Sequence, residues 1–265
     1  MILLLGGTCD SRALAELLAK KGARVLLSTA TEYGESLAGE VAGIQTRSGR
    51  LTSSEMEQLV LDRGIRCILD ATHPYAARAS ESAIECARRL GIAYVRYERA
   101  KTQCGGFPEA LRFDSTAQAA DFLACSEGNV LLTTGSNTLE EFTAKIELDR
   151  LYARVLPTSS VIGKCEALGI KPSRIIGMQG PFSESMNREL IRAYNISFIV
   201  TKDGGAEGGT IEKLRAARAE GIKAVMINRP QMEYGSICGT IECAMQAAIE
   251  AAAEHRRQTG SSEQG

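Results

Sequence analysis

Six times along this chain an aliphatic run breaks off at glycine or proline, at residues 6–8, 72–74, 135–136, 180–181, 204–209 and 229–230, and a helix-like pattern follows most of these turns. Short runs rich in Val, Ile and Leu without polar alternation read as strands buried on both faces. Strands separated by helices run parallel, so the pattern predicts parallel sheets covered on both sides. In such sheets the turns after the strands gather at the carboxyl edge, where ligands bind and helix N-termini offer free N–H groups to anions.

Taken in order, strand 2–5 ends in Gly6-Gly7-Thr8 and is followed by a helix that Asp10 or Ser11 can cap. Strands are expected at 23–29, 44–47, 66–70 and 92–97, with helices from about 53 to 63 and up to about 90. Residues 98–108 lack periodicity and mark a domain boundary. Beyond it, strands at 130–134, 151–156, 174–178, 196–202 and 224–228 alternate with helices, the last from about 240 to 255. The expectation is α/β: two Rossmann-like, doubly wound parallel-sheet domains facing a central cleft, over residues 1–100 and 101–255, with a disordered tail at 256–265.

Composition removes several classes of function. Thirty-one basic and 32 acidic side chains leave a net charge of −1, so nucleic acid and anionic membrane are not expected partners. No apolar run approaches the length of a membrane span, and Met1–Leu5 is too short for a signal segment. The eight cysteines are scattered without C-x-x-C and only two histidines exist, so no metal centre is expected. A cytoplasmic protein with reduced thiols, monomeric or a small homo-oligomer, fits these features.

The first turn is not G-x-G-x-x-G, but its place after strand one points to a nucleotide phosphate at Gly6, Gly7 and Thr8. After the second strand, Ser28, Thr29 and Thr31 stand where an NAD-selecting carboxylate would be. A carboxylate there would repel a 2′-phosphate, so its absence favours NADPH over NADH, with Arg47 or Arg50 as the cation. Gly204–Thr210 imitates a P-loop without its lysine, which disfavours ATP hydrolysis; Lys202 lies upstream instead. His73, in Asp70-Ala71-Thr72-His73-Pro74-Tyr75, is either a polar turn residue or a proton donor or cofactor contact.

The segments Leu4–Thr8, Asp70–Ala76, Met178–Ser183 with Asn187, and Val200–Gly205 through Leu214 to Arg229-Pro230 occur in one chain and in that order. Leu132–Ser136 and Arg154–Pro157 accompany them. In these segments the sequence resembles the precorrin-6A and cobalt-precorrin-6A reductases of cobalamin biosynthesis. Gly204 departs from the serine expected in that family's motif.

The resemblance implies NADPH-dependent reduction of one double bond of an acidic tetrapyrrole, giving (cobalt-)precorrin-6B. It implies a cofactor site at Gly6, Gly7, Thr8, Ser28, Thr29, Thr72, His73 and Pro74, with His73 and Tyr75 as candidate proton donors. Gly135, Ser136, Gly180, Pro181, Phe182, Gly204 and Gly205 would then border the macrocycle, and Arg154, Lys202 and Arg229 would meet its carboxylates. Alternatives of the same architecture are another NADPH oxidoreductase acting on a small substrate, and a non-catalytic two-domain binding protein.

Overall fold

The computed structural model describes residues 1–30, 43–99, 106–205 and 208–261. Thr31, one of the polar residues expected near the nucleotide, falls outside them. The chain forms two units, Met1–Ala100 with Gln231–Gly265, and Lys101–Pro230.

In the first unit β1 (Ile2–Gly6), β2 (Val25–Thr29), β3 (Gln45–Ser48), β4 (Cys67–Asp70), β5 (Ala93–Tyr97) and β12 (Ile237–Cys238) form one sheet in the order β12-β5-β4-β1-β2-β3. All its pairs are parallel. The helices of this unit are α1 (Cys9–Lys20), α2 (Ser53–Arg63), α3 (Ala77–Leu90) and α9 (Ile241–Ser261). The period of two along β1 sends Ile2 and Leu4 to a core with Leu14, Leu18, Ala244, Met245 and Ala248, from α1 and α9. Leu3 and Leu5 enter the opposite core with Met56, Val60, Ala83 and Cys86, from α2 and α3. The sheet is therefore covered on both faces, as the uninterrupted aliphatic runs require.

The second unit holds β6 (Leu111–Phe113), β7 (Asn129–Leu132), β8 (Leu151–Val155), β9 (Ile175–Gly177), β10 (Ile196–Lys202) and β11 (Lys223–Ile227), in the order β6-β11-β10-β7-β8-β9. Its helices are α4 (Thr116–Ala124), α5 (Leu139–Thr143), α6 (Ser159–Ala167), α7 (Glu184–Ala193) and α8 (Thr210–Ala219). Leu131, Ile199 and Met226 pack with Ile191 of α7 and with Leu214 and Ala217 of α8. The first sheet has the doubly wound order 3-2-1-4-5-6 with its switch point between β1 and β4; the second repeats that pattern about β7 and β10, except that its sixth position is taken by β6, the first strand of its unit.

The expectation of a C-terminal domain over residues 101–255 needs correction. From Gln231 the chain rejoins the first unit: β12 pairs with β5, and α9 covers the face carrying Ile2 and Leu4. The sixth position of each sheet is thus filled by a strand from across a chain crossing, β6 after β5 and β12 after β11. The tail expected to be disordered from residue 256 instead continues α9 to Ser261. Thr8, rather than Asp10 or Ser11, caps α1, its hydroxyl accepting from the Ser11 N–H. The described cysteines are free thiols, and among the described residues no group of His, Cys, Asp and Glu could hold a metal ion. No described helix is long and apolar enough to cross a membrane.

Candidate functional site

At the first switch point the turn after β1 lies beside the turn after β4, because Leu5 pairs with Asp70 and the Ala71 N–H donates to Leu5 O at 2.9 Å. Gly7 has φ +127°, and a Cβ there would meet nothing within 4 Å, so the turn leaves open space above its backbone. Below it, the Ser11 hydroxyl accepts from the Gly7 and Thr8 N–H groups, each at 3.0 Å, and donates to Thr8 O at 2.7 Å. The sequence carries no signal for this clasp beyond a serine three residues after the cap. Asp10, in the first turn of α1, is paired with Arg99 at 3.2 Å. Tyr97 is pushed up to about 12, by burial first and then by the Asp10 carboxylate.

Gly6 pairs with Thr29, which sets the end of β2 beside the turn. Ser28 and Thr29 are both buried. The Arg47 guanidinium donates through Nη1 to Ser28 Oγ at 3.0 Å, so a cation stands at the position read from sequence as selective for a 2′-phosphate. An open glycine turn, a helix N-terminus and a cation at the end of β2 are the groups at this switch point that could hold a nucleotide cofactor.

The β4 turn is held from below by a buried carboxylate. Asp70, fully buried, accepts at Oδ1 from Thr72 N–H (3.0 Å), Thr72 Oγ1 (2.7 Å) and Arg96 Nη1 (2.8 Å). At Oδ2 it accepts from Ser80 Oγ (2.6 Å) and Tyr94 OH (2.8 Å). Burial and the Asp70 charge raise the Tyr94 phenol above its ordinary range. Arg96 also donates to Thr72 Oγ1 at 3.2 Å, and its guanidinium lies 4.8 Å from the Tyr234 ring centroid. Its Nε and Nη2 lack hydrogen-bond partners, although Nε is 3.5 Å from Glu98 Oε2, within reach of charge attraction. This network fixes Thr72 and so aims the His73–Tyr75 segment. His73 is exposed, and its Nδ1 accepts from the Tyr75 N–H at 3.3 Å; the rings are 5.5 Å apart. A neutral His73 therefore carries its proton on Nε2. Sequence reading did not single out Arg96 or Tyr234, which meet only through the fold.

At the second switch point the turns after β7 and β10 are neighbours, through the pairing of Leu132 with Val200 and a 2.9 Å bond from Thr133 N–H to Val200 O. This brings Gly135 and Ser136 alongside the turn that starts at Lys202. The glycine turn is stapled internally: the Gly204 N–H donates to Thr210 Oγ1, which donates to Lys202 O, both at 3.2 Å. A Cβ at Gly204, where serine was expected, would stand 3.1 Å from Gly208 Cα and crowd that backbone. Arg229 is buried beneath this turn, its Nε donating to Asp203 O at 3.0 Å and its Nη2 3.7 Å from Asp203 Oδ1. It braces the turn. Burial lowers Lys202, with Glu141 acting in the opposite sense.

Arg154, from β8, is brought together with the segment after β9. Phe182 lies over its guanidinium at 4.1 Å, and Nη1 donates to Asn187 Oδ1 at 2.8 Å. Asn187 is oriented by donating to Ser183 O at 2.8 Å. Gly180 and Pro181 lead into this arrangement through a cis peptide bond. Lys213, in α8, is also buried and donates to Gly208 O at 2.9 Å. It was not singled out from sequence, where it reads as an ordinary helix lysine.

Comparison with known proteins gives concordant results. A family model described as "Precorrin-6x reductase CbiJ/CobK" matches residues 1–249. A cobalt-precorrin-6A reductase of Priestia megaterium is 39% identical over 254 residues, covering 94% of this chain and 98% of that protein. A precorrin-6A reductase of Rhodobacter capsulatus is 29% identical over 245 residues, covering 92% and 94%. Among solved structures, a CobK precorrin-6A reductase superposes with a TM-score of 0.75 at 25% identity, over 94% of this chain and 96% of the other.

Proposed function

The chain belongs to the precorrin-6x reductase family, oxidoreductases of cobalamin biosynthesis acting on a CH–CH group, and on that premise we propose that it reduces cobalt-precorrin-6A to cobalt-precorrin-6B with NADPH. The observation carrying the cofactor is the Arg47–Ser28 contact at the end of β2, where NAD-selecting chains place a carboxylate. The cobalt-containing substrate is favoured by the relatives sharing 35–39% identity, which bear that name.

In this reading Gly6, Gly7 and Thr8 border the pyrophosphate, Ser28, Thr29 and Arg47 the 2′-phosphate, and Thr72, His73 and Pro74 the nicotinamide end. Bound NADPH supplies the hydride, and the carbon next to the one that receives it takes a proton. His73 is the donor in this reading, acting as the imidazolium, which gives up a proton to that carbon and returns to the neutral ring; the Tyr75 N–H lies against its Nδ1. Asp70 and Arg96 hold the turn that carries both. In the second unit Gly135, Ser136, Gly180, Pro181, Phe182, Gly204 and Gly205 border the macrocycle, and Arg154 and Lys202 meet its carboxylates. Arg229 contributes by bracing Asp203 and the glycine turn.

The purified protein is expected to consume NADPH when cobalt-precorrin-6A is added, followed by the loss of nicotinamide absorbance. No consumption with this substrate or its cobalt-free counterpart would overturn the assignment. Arg47→Ala is expected to cost at least about tenfold in KM for NADPH, the order of one charge-assisted contact. It should leave KM for NADH little changed, and equal losses with both would remove the 2′-phosphate from Arg47.

A further inference from the structure

Arg154 and Lys213 pose a charge problem that the fold does not solve. Arg154 is 5% exposed and Lys213 8%. Their hydrogen bonds go to neutral acceptors, Asn187 Oδ1 for Arg154 and Gly208 O for Lys213. Among the described residues neither forms an ion pair. The start of α8 meets the segment that covers Arg154, a Cβ at Gly209 standing 3.9 Å from Phe182 O, so Lys213 feels Arg154 as a repelling charge that Glu212 only partly offsets. The Glu212 Oε2 atom is itself buried without a hydrogen-bond partner. Two like charges out of water with neutral partners are costly, and removing them would relieve the cost. A site that keeps both is built for something that arrives with negative charge.

The surroundings narrow the choice of anion. Phe182 covers one face of the Arg154 guanidinium and Asn187 holds Nη1, so the group is fixed in orientation before any ligand arrives. A guanidinium fixed in plane suits the two oxygens of a carboxylate. Lys213 adds a point charge from the first turn of α8, where the helix N-terminus also favours an anion.

We propose that Arg154 and Lys213 together form a receptor for one carboxylate of the substrate, with Arg154 fixing its plane and Lys213 supplying the second positive charge. The inference rests on the tetrapyrrole reading above and adds to it a specificity-determining residue, Lys213. The charged groups acting on Lys213 are Arg154 of β8 and Glu212 of its own helix. Burial, then Arg154, bring the Lys213 ammonium down to about 8, while burial alone brings Arg154 to about 10. As pH rises through about 8, the free enzyme loses the Lys213 charge while Arg154 keeps its own. Binding of the carboxylate should therefore weaken in that window.

The test is KM for cobalt-precorrin-6A against pH for wild type, Lys213→Met and Lys213→Arg. Wild type should show KM rising through the Lys213 transition. Lys213→Met should have a KM raised about tenfold or more below that transition, the order of one lost hydrogen bond to a charged group, and flat across it. The loss should fall on KM rather than on kcat. Lys213→Arg should keep KM low on both sides, because guanidinium does not titrate there. A Lys213→Met KM within twofold of wild type, or parallel pH profiles for all three proteins, would overturn the proposal. Should Lys213→Met fail to fold, the Lys213→Arg profile decides alone: a KM that rises with pH as in wild type sinks the idea. Absence of any turnover by wild type is a different outcome and counts against the proposed function.

Discussion

A β-carbon added at Gly6 would stand 2.6 Å from Ser11 Oγ and 2.8 Å from Leu27 Cδ1, the first a polar atom already committed to two N–H groups, the second packed in the core. Gly6→Val should therefore push α1 off β1 and break the Ser11 clasp, raising the NADPH Kd at least about tenfold, measurable by fluorescence titration. Unchanged affinity would remove the cofactor from this turn. The Asp70–Arg96 pair makes the complementary case, where a charge cannot be withdrawn. Both side chains are fully buried. Arg96→Met would leave the buried Asp70 carboxyl without its cation and should lower the unfolding free energy by about 3–5 kcal/mol. Adding Asp70→Asn should recover a large part of that loss, a coupling that urea titration of the four proteins would read.

At the scale of elements, legibility followed length and periodicity. Ten strands, β1–β5 and β7–β11, and the described helices were readable because aliphatic runs and capping residues such as Ser183 are local signals. The sequence reading missed β6 and β12. Leu111-Arg112-Phe113 and Ile237-Cys238 carry no aliphatic run such as the Ile175-Ile176 of β9, and each is specified by the strand it joins rather than by its own composition. The same limit applied to the sites: glycine turns announced themselves, while Lys213 and the Arg96–Tyr234 contact depend on which elements become neighbours. A chain ending at Pro230 tests what β12 and α9 supply. It would leave the Arg96 and Glu98 N–H groups without Ser236 O and Cys238 O, and would uncover the face where Ala244, Met245 and Ala248 pack. Hydrogen exchange should show protection lost across the first sheet and retained across the second. Equal protection in both would mean that the returning segment is dispensable.

On the scale of the whole molecule, two units of like sheet pattern are joined twice, and the second joint was not visible in the sequence. Arg229-Pro230 reads like every other strand-end turn, so nothing local says that the chain then leaves its unit. The first crossing, over residues 98–108, lacks periodicity and could be seen. The returning segment has a consequence for synthesis. A ribosome delivers the chain from its amino end, so Lys101–Pro230 is available in full while the first unit still lacks Gln231 onward. The part begun first is the part finished last. Until Gln231 onward emerges, β5 presents an open edge and the apolar face of β1 is covered by α1 without α9, features that recruit chaperones and invite pairing with other chains. The amino-terminal unit is thus committed to waiting until the segment after Pro230 has been made.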